Sequence, residues 1–297
     1  MNILLTGSAG FVGTHLRREL EKAGHEVIGI DVKKTMAKDI LCDLSDFPLL
    51  KEILSAHRPD GIIHLAAISR VAFSNYSLLY ETNIGGTINL LSAITSVDLK
   101  TSFLFVSSAQ VYGSFDSSQK GLIDETVAIA PVNHYGASKA SCEHIVSAFC
   151  MENEIPYVIA RPFNHTGKGQ TVDFVIPKIA EAFVTKQESL KLGNIDVVRE
   201  FLDVRDVVYA YRLMIENSKK LSGNIFNVSS GIGYSIREIL LMLETLTGHK
   251  PRIDIEPSLL RKNEIKSIVG SYERLKSQTD WRPIHKIEET LRWMLGL

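Results

Sequence analysis

Met1-Asn2-Ile3-Leu4-Leu5-Thr6-Gly7-Ser8-Ala9-Gly10-Phe11-Val12-Gly13 opens the chain and decides its fold. An apolar run ends at Thr6, a GxxGxxG spacing follows at Gly7, Gly10 and Gly13, and apolar residues three and four apart then run from Gly10 to Ala23. Strand, glycine turn and helix in that order make the glycines informative. They permit a tight turn and bring backbone N–H groups and the helix dipole against a pyrophosphate, with Ala9, Phe11 and Val12 completing the cradle. A glycine-rich turn without a ligand is the alternative. Asp31 ends the second apolar run, 18 residues past Gly13, where a carboxylate accepts hydrogen bonds from the adenosine ribose hydroxyls and favours NAD(H). Lys33 and Lys34 come next and would hold a 2′-phosphate were the loop to turn back, so NADP(H) stays open. In Cys42-Asp43-Leu44, Asp43 either faces the adenine amino group or is an exposed turn residue, with Leu44 beside it.

Outward from this stretch, short apolar runs alternate with helical patterns. Strands are expected over Ile3 to Thr6, Glu26 to Ile30, Gly61 to Leu65, Phe103 to Ser107, Val158 to Ala160, Phe201 to Val204 and Asn224 to Val228. Helices are expected over Gly10 to Ala23, Ser45 to Ala56, Leu78 to Ile94 and Tyr135 to Cys150. The alternation predicts an α/β fold: a Rossmann-type, doubly wound parallel sheet with a smaller interleaved C-terminal lobe. After Pro162 the pattern breaks up, which divides the chain into a nucleotide-binding unit of residues 1–162 plus about 201–228 and a substrate lobe of about 163–200 plus 229–285.

Composition narrows the classes of partner. Among 297 residues, 33 Lys and Arg balance 34 Asp and Glu for a net charge of -1, which gives no basic field for nucleic acid. With 45% hydrophobic and 23% charged residues the chain reads as a globular protein with a large core. The first apolar run is too short for a secretory signal and nowhere do 18 apolar residues follow one another, so a cytosolic protein without membrane contact is expected. Cys42, Cys142 and Cys150 are too scattered for a disulfide framework, and His64, His134, His144 and His165 show no metal-ligand spacing. His134 is read as a pocket-lining loop residue and His144 as a helix-surface residue.

Tyr135 and Lys139 lie four apart on an expected helix, so they share a face, and an ammonium there stabilises a phenolate. A free tyrosine, with pKa near 10, needs such help for acid–base work at neutral pH. Ser108 would hydrogen-bond the same reacting oxygen, whereas Ser107 is read as satisfying a backbone group. Alone, a Tyr-x-x-x-Lys spacing is an ordinary amphipathic pair.

In company it is not ordinary. The glycine loop, His64-Leu65-Ala66-Ala67, Asn83-Ile84-Gly85-Gly86-Thr87, Ser107-Ser108-Ala109-Gln110-Val111-Tyr112-Gly113, Tyr135-Gly136-Ala137-Ser138-Lys139 and Arg161-Pro162-Phe163-Asn164 together resemble the extended short-chain dehydrogenase/reductase family of nucleotide-sugar epimerases, dehydratases and reductases. The resemblance runs from Met1 to at least Arg282. It implies an NAD(P)-dependent nucleotide-sugar oxidoreductase with Ser108, Tyr135 and Lys139 catalytic. Leu65, Ala66, Ala67 and Asn83 would join the cofactor contacts, and Lys139 would also reach the nicotinamide ribose. Helices near Leu78 to Ile94 and Tyr135 to Cys150 would pair in a homodimer, or simply cover the sheet.

Family dehydratases carry acidic residues directly after the catalytic hydroxyl; Ala109 and Gln110 stand there and cannot exchange a proton at neutral pH, which removes that chemistry. Reductase and 4-epimerase remain. The stretches Arg161 to Gly167, Gly193 to Val207, Gly231 to Gly233 and Leu260 to Glu264 resemble the GDP-4-keto-6-deoxymannose reductases, with Lys168 standing where relatives usually place proline. This implies reduction of a nucleotide-4-keto-6-deoxyhexose, with Ser108 and Gln110 at the sugar and Asn164, Arg199 and Arg261 at the diphosphate. A 4-epimerase holding NAD tightly is the alternative, and a non-catalytic NAD(P)-binding sensor a more remote one.

Overall fold

The computed structural model describes residues 1–34, 36–71, 73–113, 121–260 and 267–297. From the N-terminus run β1 (Asn2–Thr6), α1 (Phe11–Lys22), β2 (Glu26–Asp31), β3 (Ile40–Leu41), α2 (Phe47–His57), β4 (Gly61–His64), α3 (Tyr76–Tyr80), α4 (Gly86–Ser96), β5 (Ser102–Val106), α5 (His134–Glu152) and β6 (Tyr157–Pro162). Then come β7 (His165–Thr166), α6 (Val175–Val184), β8 (Ser189–Leu192), β9 (Val198–Arg199), β10 (Leu202–Asp203), α7 (Val204–Glu216) and β11 (Asn224–Val228). The remainder holds β12 (Tyr234–Ser235), α8 (Ile236–Thr247), β13 (Arg252–Ile255), β14 (Ser267–Ile268), α9 (Glu273–Thr279) and α10 (Ile287–Leu295).

Seven strands form one parallel sheet in the order β11-β6-β5-β4-β1-β2-β3. Successive strand residues point to opposite faces, and both faces are buried, which is why these strands read as unbroken apolar runs. Ile3, Leu5, Ile63, Leu104 and Val158 pack against α1 and α7 on one face, and Leu4, Ile62, Phe103, Phe105 and Ile159 against α2, α4 and α5 on the other. The strand order reverses between β1 and β4, and Thr6 lies opposite Ile30 and His64. The glycine turn, Asp31 and the segment after His64 therefore meet at one carboxyl edge, where such sheets take their ligands.

The strand expected over Phe201 to Val204 is cut to Leu202 and Asp203, which pair with β7 outside the main sheet. Asp203 accepts a hydrogen bond from the Arg205 backbone N–H, so helix begins at Val204, and α7 buries Val204, Val207, Val208, Tyr211, Met214 and Ile215 at helical spacing. The helix expected over Leu78 to Ile94 is interrupted between α3 and α4 by a π-helical turn over Glu81–Gly85. A separate apolar cluster joins α6, α8 and α10 through Ile179, Phe183, Ile239, Leu243, Ile287 and Leu291. Beside it β9 is the middle strand of the small sheet β12-β9-β14. No helix among the described residues is long and apolar enough to cross a membrane.

Candidate active site

The glycine turn is held by its own backbone. Gly7 has φ of 70°, in the left-handed region, and donates its N–H to Ile30; a Cβ there would come within 2.8 Å of the Ala66 nitrogen. A Cβ on Gly13 would lie 2.2 Å from the Gly7 carbonyl oxygen, so only glycine lets α1 start this close to β1. Gly10 caps α1 without any side-chain cap, and no acidic residue stands in the first turn. The first N–H groups of the helix, at Phe11, Val12 and Gly13, are thus left for an anion, which fits the pyrophosphate of a dinucleotide. Asp31 is half-buried, accepting from the Ala9 N–H at 3.0 Å and the Lys33 N–H at 3.1 Å, and the Lys33 and Lys34 side chains are exposed. Asp43 is exposed, closing a turn onto the Ser45 N–H at 2.8 Å, while Leu44 is buried against Gly86.

Below the turn, buried His64 links three elements. Its Nδ1 lies 2.7 Å from Thr6 Oγ1 and its Nε2 3.0 Å from Thr87 Oγ1. Thr87 spends its hydroxyl proton on the Asn83 carbonyl, and Thr6 Oγ1 accepts from the Ala66 N–H, so His64 donates from Nε2 and accepts at Nδ1. Leu65, Ala66 and Ala67 are partly buried beside the glycine turn. Asn83, inside the π-helical turn, is buried, and its amide holds the Ile68 backbone and the Ser138 hydroxyl.

Tyr135 and Lys139 lie on one face of α5, and Ser108 ends the crossing from β5. Asn133 caps α5 by accepting from the Gly136 N–H, and it donates in turn to the Gln110 amide oxygen at 3.0 Å. A Cβ on Gly136 would meet the Gln110 carbonyl oxygen at 2.5 Å, so glycine there lets the helix press against the 108–110 turn. The Ser108 side chain is close enough to the Tyr135 hydroxyl to favour its charged form. Burial pushes the phenol up to about 12, with Ser108 opposing. The ammonium expected to favour a phenolate points elsewhere: Lys139 donates to the Val106 carbonyl at 2.8 Å and lies 4.9 Å from the centre of the Phe105 ring, with burial lowering its pKa to about 8. In this state Tyr135 is a neutral phenol, a proton donor.

Ser107 also departs from expectation. Its hydroxyl donates 2.5 Å to the Glu143 carboxylate, not to a backbone group. Glu143 is gripped by Arg161 at 2.9 and 2.6 Å, and Arg161 donates onward to Tyr112 at 3.0 Å. The sequence carried one signal for this pair, since the four-residue step from Tyr135 to Lys139 continues to Glu143.

Among the expected substrate residues, the exposed Asn164 lies just past β6 at the same sheet edge, its carbonyl accepting from Leu202. Arg199, in β9, is half-buried and donates to the Val198 carbonyl. The adjoining Glu200 is fully buried and binds the N–H groups of Ser230, Gly231 and Gly270. Arg261 lies outside the described residues. His134 is exposed, stacked on Tyr76 with ring centres 3.8 Å apart, and its Nδ1 meets the Tyr80 hydroxyl. The three cysteines are free and buried, and no cluster of metal-binding side chains occurs among the described residues.

Residues 3–229 match the family described as Epimerase: NAD dependent epimerase/dehydratase family. The chain belongs to that family. It is 36% identical to the GDP-6-deoxy-D-talose 4-dehydrogenase of Aggregatibacter actinomycetemcomitans over 93% of this chain and 90% of that protein. It is 32% identical to the GDP-6-deoxy-D-mannose reductase of Pseudomonas aeruginosa over 99% and 96%. Among solved structures, RMD from Pseudomonas aeruginosa complexed with NADPH superposes with a TM-score of 0.88 at 32% identity, covering 100% of this chain and 98% of that one. UDP-glucose 4-epimerase with UDP-glucose from Thermotoga maritima gives 0.90 at 28% identity, with the same coverage. As a member of the epimerase/dehydratase family the chain is an NAD(P)-dependent enzyme with a Rossmann-type sheet, as its motifs imply.

Proposed function

We propose that this enzyme reduces the C4 keto group of a nucleotide-4-keto-6-deoxyhexose, with GDP-4-keto-6-deoxymannose the favoured substrate. NAD(P)-dependent oxidoreduction of a nucleotide sugar follows from its family; the GDP-linked 4-keto sugar is the further step. The observation that carries that step is the pair of relatives at 36% and 32% identity, both named for GDP-6-deoxy sugars and both matched over nearly their whole length. Talose and mannose differ only in configuration at C4, so the two names share a carbon and a bond.

Gly7, Ala9, Gly10, Phe11, Val12, Gly13 and Asp31 would hold the dinucleotide, whose nicotinamide supplies the hydride when bound. NADH is favoured because a carboxylate at Asp31 repels a 2′-phosphate and binds a 2′-hydroxyl. A sugar carbonyl oxygen lying between the Ser108 and Tyr135 hydroxyls accepts a hydrogen bond from each, and these bonds strengthen as negative charge builds on it. Tyr135, neutral in the closed site, then gives up its proton. Lys139, turning from the Val106 carbonyl toward Tyr135, lowers the cost of the phenolate left behind. Ala109 and Gln110 carry no acid or base, so no proton is taken from the neighbouring carbon and water is not eliminated.

In this proposal residues 163–200 and 229–285 form the sugar lobe, Arg199, Arg261 and Asn164 bind the diphosphate, and the enzyme works in the cytosol as a homodimer. The test is an absorbance assay with nucleotide-4-keto-6-deoxy sugars and either coenzyme, followed by NMR of the product. One NADH oxidised per sugar supports a reductase. Conversion of a 4-hydroxy nucleotide sugar to its C4 epimer by protein carrying bound NAD, with no net oxidation, overturns it in favour of an epimerase.

A further inference from the structure

Three residues on one face of α5, each four apart, hold three consecutive residues at the end of β5. Tyr135 lies beside Ser108, Lys139 donates to the Val106 carbonyl at 2.8 Å, and Glu143 accepts from the Ser107 hydroxyl at 2.5 Å. Only the last of these ties takes no part in the reaction proposed above. It is also the most firmly anchored. Both Glu143 oxygens are held by Arg161, Arg161 reaches the Tyr112 hydroxyl, and Tyr112 donates to Asn227 of β11 at 2.7 Å. The carboxylate is thus fixed between α5, β6 and β11, with Glu143 and Arg161 each buried.

We infer that Glu143, acting through the Ser107 hydroxyl, is a positioning residue that sets Ser108 against Tyr135. The reasoning turns on Lys139. Its ammonium has N–H groups left for a phenolate or a ribose, and turning toward either strains its bond to the Val106 carbonyl at the moment alignment matters. The bond from Ser107 to Glu143 is the tie that stays. Ser107 has its backbone N–H on the Ala160 carbonyl of β6 at 2.8 Å, so its side chain has this one further constraint to supply. A displacement near 1 Å at a reacting group costs about a hundredfold in rate.

The inference rests on the proposed reaction, and its test separates the two. Ser107→Ala removes the tie while leaving the Glu143–Arg161 pair intact. Its kcat is expected to fall about tenfold to a hundredfold, with KM for the sugar and the Kd for NADH unchanged and Tm lowered by only a few degrees. Glu143→Gln keeps an acceptor for Ser107 but strips the charge facing Arg161, so it should lower Tm more and kcat less than Ser107→Ala. A kcat for Ser107→Ala within twofold of wild type, or a loss accompanied by a fall in Tm as large as that of Glu143→Gln, overturns the inference. Should the wild type turn over no 4-keto sugar, the proposed reaction fails and crystal structures of wild type and Ser107→Ala decide: Ser108 displaced from Tyr135 in the variant supports the positioning role, and an unaltered placement overturns it.

Discussion

At the scale of single residues, the site places a neutral phenol against a hydroxyl and withholds its ammonium. Tyr135→Phe is expected to lower kcat by roughly a hundredfold to ten-thousandfold, the usual worth of a positioned acid, with the Kd for NADH unchanged in a fluorescence titration. His64 gives a second expectation. Burial lowers its pKa from 6.5 to about 3, with the Lys139 charge adding to the effect. The depressed value means that the unfolded chain binds the proton more readily, so the contribution to stability is full above 6.5 and is lost as pH falls toward about 3. Ring NMR signals of His64 should stay constant from pH 8 to about 5 with the proton on Nε2, and urea midpoints should decline below about 6.5. Signals that titrate near 6.5 would mean that the bonds to Thr6 and Thr87 do not hold. The sequence singled out Ser108, Tyr135 and Lys139 through their company with the glycine loop and the other family motifs, the Tyr135–Lys139 step alone being an ordinary helix pair. It left Ser107 and Glu143 obscure because their bond spans 36 positions and depends on how α5 lies along β5.

At the scale of elements, the glycine turn was readable because every backbone demand in it falls on a residue type, whereas the boundary between β10 and α7 was hidden by length. Two residues of strand flow into apolar helix there, and only the cap at Asp203 marks the change. Glu200 shows what such short strands require. Its carboxylate binds the segments before β12 and after β14, the two neighbours of the strand carrying Arg199. Burial pushes its pKa up to about 7, while the four donors around it, the Ser230 hydroxyl included, favour the charged form. Glu200→Ala leaves those buried donors unmatched and should cost about 3 kcal/mol. It should also raise KM for the nucleotide sugar several-fold without changing NADH affinity, measured by urea unfolding and steady-state kinetics. Unchanged stability and KM would reduce Glu200 to a bystander.

At the scale of the whole molecule, the chain passes from one core to another near its C-terminal end. Leu275 and Trp281 sit in the cluster that backs the seven-stranded sheet, and Trp281 is fully buried with its indole N–H on the Asp206 carbonyl at 3.1 Å. Ile287 and Leu291 enter the other core only a few residues later. The two cores should therefore melt together in one calorimetric transition, and Trp281→Ala should destabilise both by about 3–5 kcal/mol. Two separate transitions would contradict it. The stretch after β6 crosses back over the glycine turn: His165 stacks parallel to Phe11 at 6.3 Å, His15 donates to the Lys168 carbonyl at 2.9 Å, and Asp173 is ion-paired with Arg70 beyond β4. With the dinucleotide on that turn as proposed, it would lie behind this crossing and the nucleotide sugar would arrive in front of it. Order of addition follows from the layering: coenzyme enters first and leaves last. Product-inhibition patterns should then show NAD⁺ competitive with NADH, while the reduced sugar is competitive with neither reactant, and random addition would mean the crossing opens as fast as the enzyme turns over.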